Sequence, residues 1–470
     1  MNASAALPGF RGPFADGPNA SALAIHEPDL TGFQLRDVAR LVVVLLVLTA
    51  TVLRALIIGL IRRRPTATAA SDGLIGGFII LGPTFVKVGQ MIASSSGLTP
   101  ATLQAAARRC LDAVPPFPVS EVRRVIEEDL GRPVDEIFTT FDDEPLSAAS
   151  IGQVHACTLG DGRHAVVKVQ RPNIARTMHI DLRIGYRLAG WFERTRWGAH
   201  SGAREVIADL HSVTCQELNS ALEAWRQHEF RINISAFGDN TMVTSPEVYL
   251  DHCGPRTICM EFVEGIPMDD FDELERRGID GQAMLRRGAK VWAESVMVHG
   301  PFHGDMHAGN VWVLDDGRGC YLDFGIMGEL SPEWRDFLKD LFYTCMFDRN
   351  FVRLAAGFRS LGVVPQTAPP DEELGAVLQA LLGDLLDDGF GGLDIAALVT
   401  QAIELTSTYE AKNPRELVLI AKQLLYIDRY TKQLAPTYAL TSDPYVVQNI
   451  FPDEARAKAE ELGIDLAALA

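Results

Sequence analysis

No two of the seven cysteines form a Cys-x-x-Cys pair, and their number is odd. Neither a disulfide framework nor a zinc knuckle can be read from positions 110, 157, 215, 253, 259, 320 and 345, and a reducing compartment suits them. A basic footprint is missing too. The net charge is −18, which argues against a nucleic-acid binder, since that function needs clustered Lys and Arg. Nor is the chain poor in apolar residues in the manner of disordered segments, because 47% are hydrophobic and 22% charged over 470 residues. That profile, at that length, can bury a large core.

Long apolar runs are scarce, and the prominent one lies at 41–61, where 21 residues carry a single charge, Arg54, before Arg62-Arg63-Arg64. A helix of about 20 apolar residues crosses a bilayer, and a charge at its centre costs roughly 2.5–3.5 kcal/mol. Arg54 is seven residues from Ile61, near enough to the basic end to snorkel. The 40 residues ahead of the run include acids and make a cleavable signal unlike this segment. The expectation is a single uncleaved membrane helix with Arg62 to Arg64 and the chain that follows them in the cytoplasm; a helix packed on the body or lying in the membrane surface is the alternative. Seven arginines against four acids in residues 1–64 leave the acidity to the remainder. Residues 455–470 are too charged to form an anchor.

The densest chemistry is His303-Gly304-Asp305-Met306-His307-Ala308-Gly309-Asn310, followed by Val311-Trp312-Val313-Leu314, a turn at Asp315-Asp316-Gly317, and Cys320-Tyr321-Leu322-Asp323-Phe324-Gly325. In phosphoryl-transfer enzymes one Asp faces the attacking group, an Asn five residues on holds metal, and the Asp of Asp-Phe-Gly holds Mg²⁺. Asp305, Asn310 and Asp323 have that order. The hairpin predicted between them would return Asp323 to the side of Asn310, so that two oxygen ligands share one hard cation. A rival reading takes His303, Asp305 and His307 as alternate residues of a strand, three ligands on one face for Zn²⁺ in a metallohydrolase.

Such a site needs a phosphate-covering loop, a lysine and a glutamate upstream. Ser147-Ala148-Ala149-Ser150-Ile151-Gly152-Gln153 leads into a strand, and Ala165-Val166-Val167-Lys168-Val169 forms another, with Lys168 the candidate phosphate ligand and an edge-strand solvated lysine the plain alternative. Residues 215–224 are rich in helix formers and carry Glu217 and Glu223. Six positions apart on a continuous helix, the two would project about 120° from one another; Glu223 is assigned to Lys168. Thr257 to Gly265 reads as a strand running into a hinge, where backbone groups near Glu261 and Val263 would meet adenine.

Those residues resemble the UbiB-type atypical kinases, the ADCK group in animals. The family's Lys-x-Gly-Gln motif stands here as Lys87-Val88-Gly89-Gln90, its Ala-rich loop as Ser147 to Gln153, its Glu-x-Asp as Glu217-Leu218-Asn219, and its His-Ala-Asp-Pro-His-Pro-Gly-Asn as His303 to Asn310. Asn219 replaces an acid, Gly304 an Ala, and Met306 and Ala308 two prolines. The resemblance spans residues 75 to 435. It implies an α+β, two-lobed protein-kinase-like fold, with a small β-rich N-lobe, a helical C-lobe and an N-terminal helical extension carrying the motif. The divisions expected are a loose tail 1–40, a membrane helix 41–64, an extension 65–135 opening on a short linker 65–72, an N-lobe 136–264 and a C-lobe 265–470.

The resemblance further implies Mg²⁺ and ATP, with Lys168, Glu223 and Asp305 catalytic and Asn310 and Asp323 on the metal. Ala148, Ala149, Ser150, Gly152, Gln153, Lys87, Gln90, Glu217, Glu261 and Val263 would surround the nucleotide. Ser331-Pro332-Glu333 begins eight residues after Asp323, too soon for the peptide platform of protein kinases. ATP hydrolysis or phosphorylation of a membrane lipid or quinone precursor, beside membrane-bound quinone-biosynthesis enzymes, is therefore expected over protein phosphorylation. A catalytically idle ATP-binding scaffold is the alternative, supported in sequence by Asn219 and the Ala-rich loop.

Overall fold

The structure is a computed structural model that describes residues 10–94, 99–112, 115–196, 198, 202–236, 240–344, 348–364, 368–387, 415–438, 443, 445 and 460. Cys345, Leu98 and, save Glu460, the stretch 455–470 lie outside them. The chain forms two compact units, Met1–Trp225 with Val248–Phe262, and Arg226–Glu247 with Val263–Ala470. One division falls between Phe262 and Val263, inside the segment read as a hinge.

The first unit is built on an antiparallel sheet in the order Phe138–Phe141, Gly152–Leu159, His164–Gln170, Thr257–Glu261, with Ser147–Ala148 also paired to Gly152–Leu159. Period-two alternation explains the strand at 164–170: Ala165, Val167 and Val169 are fully buried, while Val166 and Lys168 occupy the other face. The helix Val119–Leu130 covers the apolar face with Val122, Val125 and Ile126, and Gly131 at φ +74° ends it. Strands pair with His164–Gln170 on both sides. Lys168 is thus on a central strand, and the edge-strand reading fails.

Residues 10–34 are not the loose tail that their Gly, Pro and Ala content suggests. Phe14 is buried in this core, and the Gly12 N–H donates to the Asp251 carbonyl at 2.8 Å. The long helix begins at Leu35 rather than 41 and runs to Ile61. Its first turns are fastened to the helix Ile174–Phe192: Asp37 accepts from Arg183 and Arg187, and Arg40 reaches both oxygens of Asp181 at 2.7 and 2.9 Å and the Leu81 carbonyl. Burial opposes ionisation of Asp37, but the hydrogen bonds from Arg183, Arg187 and the Gln34 N–H outweigh it and hold its pKa at about 2. Its contribution to stability is therefore present above the ordinary carboxylate range and lost as pH falls toward that value.

The expected linker at 65–72 is the start of a second helix, Thr66–Leu81, which returns alongside the first. Small residues permit the close approach: a Cβ at Gly73 would lie 2.7 Å from the Val52 Cα, and one at Gly77 2.8 Å from the Thr51 hydroxyl. Gly82 then breaks the run, and Pro83–Ser94 and Ala101–Ala107 complete a small core around Ile75, Phe78, Val86 and Ala107. The other side of Leu35–Ile61 exposes Val42, Leu46, Leu53, Ile57 and Leu60.

In the second unit, a four-stranded sheet runs Val243–Thr244, Gly319–Tyr321, Val311–Leu314, Gly265–Pro267, and a two-stranded sheet joins Pro301–His303 to Met327–Glu329. Helices Gly281–Glu294, Pro332–Tyr343 and Arg415–Leu434 surround them. A charged network lies inside. Lys290 and Glu294, 1% and 0% exposed, meet at 2.6 Å; Asn240 donates to Glu294 and accepts from Lys290, and His299 completes the carboxylate's partners. Removing one member strands the other charge. Glu294→Ala is expected to cost about 3–5 kcal/mol in denaturant unfolding, and the apolar double change Lys290→Met with Glu294→Leu should recover most of it.

Candidate functional site

Lys168 Nζ meets Glu223 Oε1 at 2.6 Å, joining the central strand of the first unit to the helix Ser220–Ala236. Glu223 is 4% exposed in its side chain and Lys168 21%. Glu217 forms an ion pair with Lys87 instead, both side chains being largely buried. The two glutamates have different partners, as their spacing predicts, though Lys87 was not foreseen for Glu217 and the continuous helix assumed for them is absent. One helix, Ala203–Glu217, ends and another begins at Ser220, because Asn219 interrupts them.

Asn219 explains its own departure from the acidic motif. Its Oδ1 accepts from the Leu222 N–H at 2.9 Å, an N-cap, while Nδ2 donates to the carbonyls of Ala22 and Ala24 at 2.9 and 3.2 Å. A carboxylate could make the first contact and not the second. In the Lys-x-Gly-Gln motif, Gly89 admits close approach, since a Cβ there would lie 2.4 Å from Cys110 Sγ. Gln90 donates to the Cys110 carbonyl at 3.1 Å. The motif's lysine thus reaches Glu217 while its Gly and Gln hold two helices together.

The Ala-rich segment forms a tight turn. Ala148 pairs with Gln153, and the Ala149 N–H donates to the Gly152 carbonyl at 2.8 Å, so Ala149, Ser150 and Ile151 make the tip. Ala149 is exposed and Ser150 half-buried. Gln153 departs from the expected phosphate set. It is 1% exposed, its Oε1 accepts from the Phe117 N–H, and its Nε2 meets His155 at 2.9 Å. Inward-facing positions of a strand serve the core, and Gln153 is one. Glu261 ends the strand opposite Ala165, and the Phe262 N–H donates to the His164 carbonyl.

In the second unit the hairpin forms with Tyr321 opposite Val311, turning at Gly317 with φ +83°. The Leu322 N–H donates to the Asn310 carbonyl at 2.8 Å, which sets Asp323 one residue from Asn310's partner. Asn310 Nδ2 donates to the Asp305 carbonyl at 3.1 Å, tying the loop to itself. Asp323 is exposed and sits at φ +53°, a conformation costly for a non-glycine residue. Its Oδ1 accepts from the Gly325 N–H, and Phe324 is buried against Phe230 and His303. From there the chain pairs back through Met327–Glu329 and enters Pro332–Tyr343, capped by Ser331.

His303 does not fit a metal. Its Nδ1 accepts from the Asp305 N–H at 3.2 Å, and Nε2 faces the carbonyls of Leu322 and Asp323 at 2.9 and 3.1 Å. Burial holds the imidazole below its ordinary range, so it is neutral with Nε2 protonated, and both nitrogens are engaged. The strand also ends at His303. The three-ligand face of the metallohydrolase reading therefore does not form.

Sequence reasoning missed the support supplied by Arg415–Leu434. Lys422 Nζ pairs with Asp305 Oδ1 at 2.6 Å, Gln423 donates to the Gly304 carbonyl and accepts from the Met306 N–H at 2.8 Å, and Tyr430 donates to the Met306 carbonyl. A proline at 306 would lack that N–H; this chain fixes the loop by side chains where the family pattern has a ring. A polar Lys422-Gln423 within an apolar helical period was the one trace of it.

The family model described as the ABC1 atypical kinase-like domain matches residues 109–356. An uncharacterized protein of Mycobacterium tuberculosis is 37% identical over 372 residues, 78% of this chain and 75% of that protein. A probable protein kinase UbiB of Erwinia tasmaniensis is 31% identical, covering 78% and 68%. Another of Xanthomonas axonopodis pv. citri is 34% identical, covering 76% and 65%. A solved Mycobacterium tuberculosis protein in complex with erythromycin is similar at 22% identity and TM-score 0.46, over 76% of this chain and 93% of that one.

The Asn219 contacts give a direct test. Asn219→Asp keeps the cap but sets a carboxylate against two carbonyls, and should loosen the docking of residues 10–34 by about 1–2 kcal/mol. Amide hydrogen exchange at 22–34 is expected to rise roughly tenfold, in keeping with that energy, while the sheet's exchange holds. Equal exchange in both proteins would show that the amide does not tether the segment.

Proposed function

This chain belongs to the ABC1 atypical kinase-like family, and from that membership we propose that it binds Mg-ATP and hydrolyses it or transfers its phosphoryl group to a small membrane-borne acceptor. Lys168 takes the α- and β-phosphates, Glu223 orients Lys168, Asn310 and Asp323 hold Mg²⁺, and Asp305 positions the attacking group. The observation that carries this reading is the 2.6 Å Lys168–Glu223 ion pair, formed between residues 55 apart in sequence. A kinase-type site requires that pair. The Asn310–Leu322 register supports the metal assignment, and Lys422 beside Asp305 adds a cation where phosphoryl charge would develop. Mg²⁺, when bound, would neutralise phosphate charge.

Ala148, Ala149, Ser150 and Gly152 are assigned to the phosphate side, and Glu261 with Val263 to the adenine side. Lys87, Gln90 and Glu217 are assigned a regulatory part beside the nucleotide. The short connection from Asp323 to Ser331 favours a lipid or quinone precursor over a polypeptide, and the family resemblance supports a reaction in or beside isoprenoid-quinone biosynthesis or lipid homeostasis. The idle-scaffold reading drew on Asn219. Capping and tethering account for that residue without reference to catalysis, which leaves the Ala-rich loop as the sequence support for that reading.

Membrane attachment is proposed through Leu35–Ile61, the helix long and apolar enough to cross. A single crossing would put residues 10–34 on the far side from the core that holds Phe14. We therefore favour a helix lying in the membrane surface, its bare apolar side in the lipid and Arg54 and Arg62 to Arg64 at the headgroups.

Two measurements check these assignments. Asp323→Asn should weaken Mg-ATP binding by about tenfold or more in calorimetric titration, since loss of even an outer partner of a metal typically costs 10–100-fold, with Mg²⁺-free nucleotide affinity and the folded far-ultraviolet spectrum retained; unchanged Mg-ATP affinity would sink the metal role. For the membrane, Leu46→Glu, Leu53→Glu and Ile57→Glu together should shift the chain from vesicle-bound to soluble in flotation without lowering its melting temperature. Retained flotation would exclude this face.

A further inference from the structure

Three lone-pair donors that the phosphoryl-transfer reading does not use converge within the first unit. His179 lies on the helix Ile174–Phe192, and His211 and Cys215 lie one turn apart on Ala203–Glu217. One ligand atom from each falls within 4.8 Å of the others, and this is the one such group of three found among the described residues. His211 and Cys215 are 4% and 5% exposed, His211 Nε2 stands 3.5 Å from Cys215 Sγ, and the two imidazoles meet edge to face with centroids 5.5 Å apart. His179 Nδ1 is buried with no hydrogen-bond partner. An imidazole nitrogen left unpaired inside a protein calls for an explanation.

We propose that His179, His211 and Cys215 bind a divalent transition metal of the Zn²⁺ class. Two imidazoles and a thiolate are the ligand types that Zn²⁺ prefers, and Zn–N and Zn–S bonds of about 2.0–2.3 Å set tetrahedral ligand atoms roughly 3.4–3.8 Å apart. The His211–Cys215 separation of 3.5 Å is already in that range, and the others, within 4.8 Å, need to close by about an ångström at most. Binding forms two nitrogen-to-metal bonds and one sulfur-to-metal bond, and the thiol proton leaves to water. No oxidation change is involved.

The fourth position falls to water or to a side chain of the N-terminal segment. Glu27 accepts from the hydroxyl of Ser212, the residue after His211, at 2.7 Å; its carboxylate is outside the 4.8 Å group of three, so the segment must shift for it to become a ligand. His26 stands beside it, close enough to influence His179. These two residues are delivered by the segment that Asn219 holds at Ala22 and Ala24. A metal there would join the two helices, one of which ends at Glu217, the partner of Lys87, and ligation by Glu27 would add the N-terminal segment to them. The site is thus structural, and it stands or falls apart from the nucleotide assignment.

The test uses the full chain in detergent, free of any histidine tag and stripped by a chelator, titrated with Co²⁺ alone and then with Zn²⁺. One Co²⁺ per chain is expected, with the intense visible bands of four-coordinate cobalt and a thiolate-to-cobalt charge-transfer band, all abolished by one equivalent of Zn²⁺. Cys215→Ser should remove the charge-transfer band, and His179→Gln should weaken binding by at least about tenfold, since outer partners alone contribute 10–100-fold. Cys110→Ser, elsewhere in the same unit, should change neither. His179 is partly exposed, so its variant reads the site even if Cys215→Ser does not fold. Weak cobalt binding with a six-coordinate spectrum, or a spectrum identical in the wild type and His179→Gln, means an adventitious ion only and overturns the proposal.

Discussion

The break between Glu217 and Ser220 organises the first unit. A helix continued through it would fan Glu217 and Glu223 about 120° apart on one rigid rod. With Asn219 as a cap, one helix ends and another begins, and each glutamate meets its own lysine, Lys87 from the extension and Lys168 from the sheet. The same amide ties down Ala22 and Ala24. One side chain with both a donor and an acceptor therefore connects the N-terminal segment, the extension and the candidate phosphate lysine.

The second unit solves a related problem with different chemistry. A loop that presents Asp305 and Asn310 must be rigid, and prolines would restrict φ directly. Here Gln423 and Tyr430 take the backbone groups of Gly304 and Met306, and Lys422 takes the Asp305 carboxylate. Rigidity then depends on a helix more than a hundred residues downstream. Loosening that helix would loosen the loop, a coupling that ring-stiffened loops lack.

Apolar surface is distributed unevenly in the extension. Glycines at 73 and 77 let the return helix lie against Thr51 and Val52, while the opposite side of Leu35–Ile61 remains bare. The fastening at Asp37 and Arg40 fixes where that bare side begins. An unpartnered apolar side of this kind is what the proposed membrane attachment would cover.

Some of this was fixed by local chemistry and is legible in the chain. The alternation Ala165, Val167, Val169 against Lys168, the Asp-Gly turn at 316–317, the break at Gly82-Pro83 and the stop at Gly131 each follow from period, turn geometry or backbone freedom that neighbouring residues dictate. The two-lobed class was legible for a different reason, as what the resemblance carried by the family motifs implies. Tertiary structure alone decided the rest. Whether Gln153 faces phosphate or core depends on which side of its strand the segment at Phe117 covers. Whether 10–34 is loose depends on a cavity for Phe14 made by residues more than a hundred positions away. The pairing of Lys422 with Asp305, and the approach of His179 to the one-turn pair His211 and Cys215, join segments with no shared period or spacing. Only the packing of one helix on another element brings such side chains within reach.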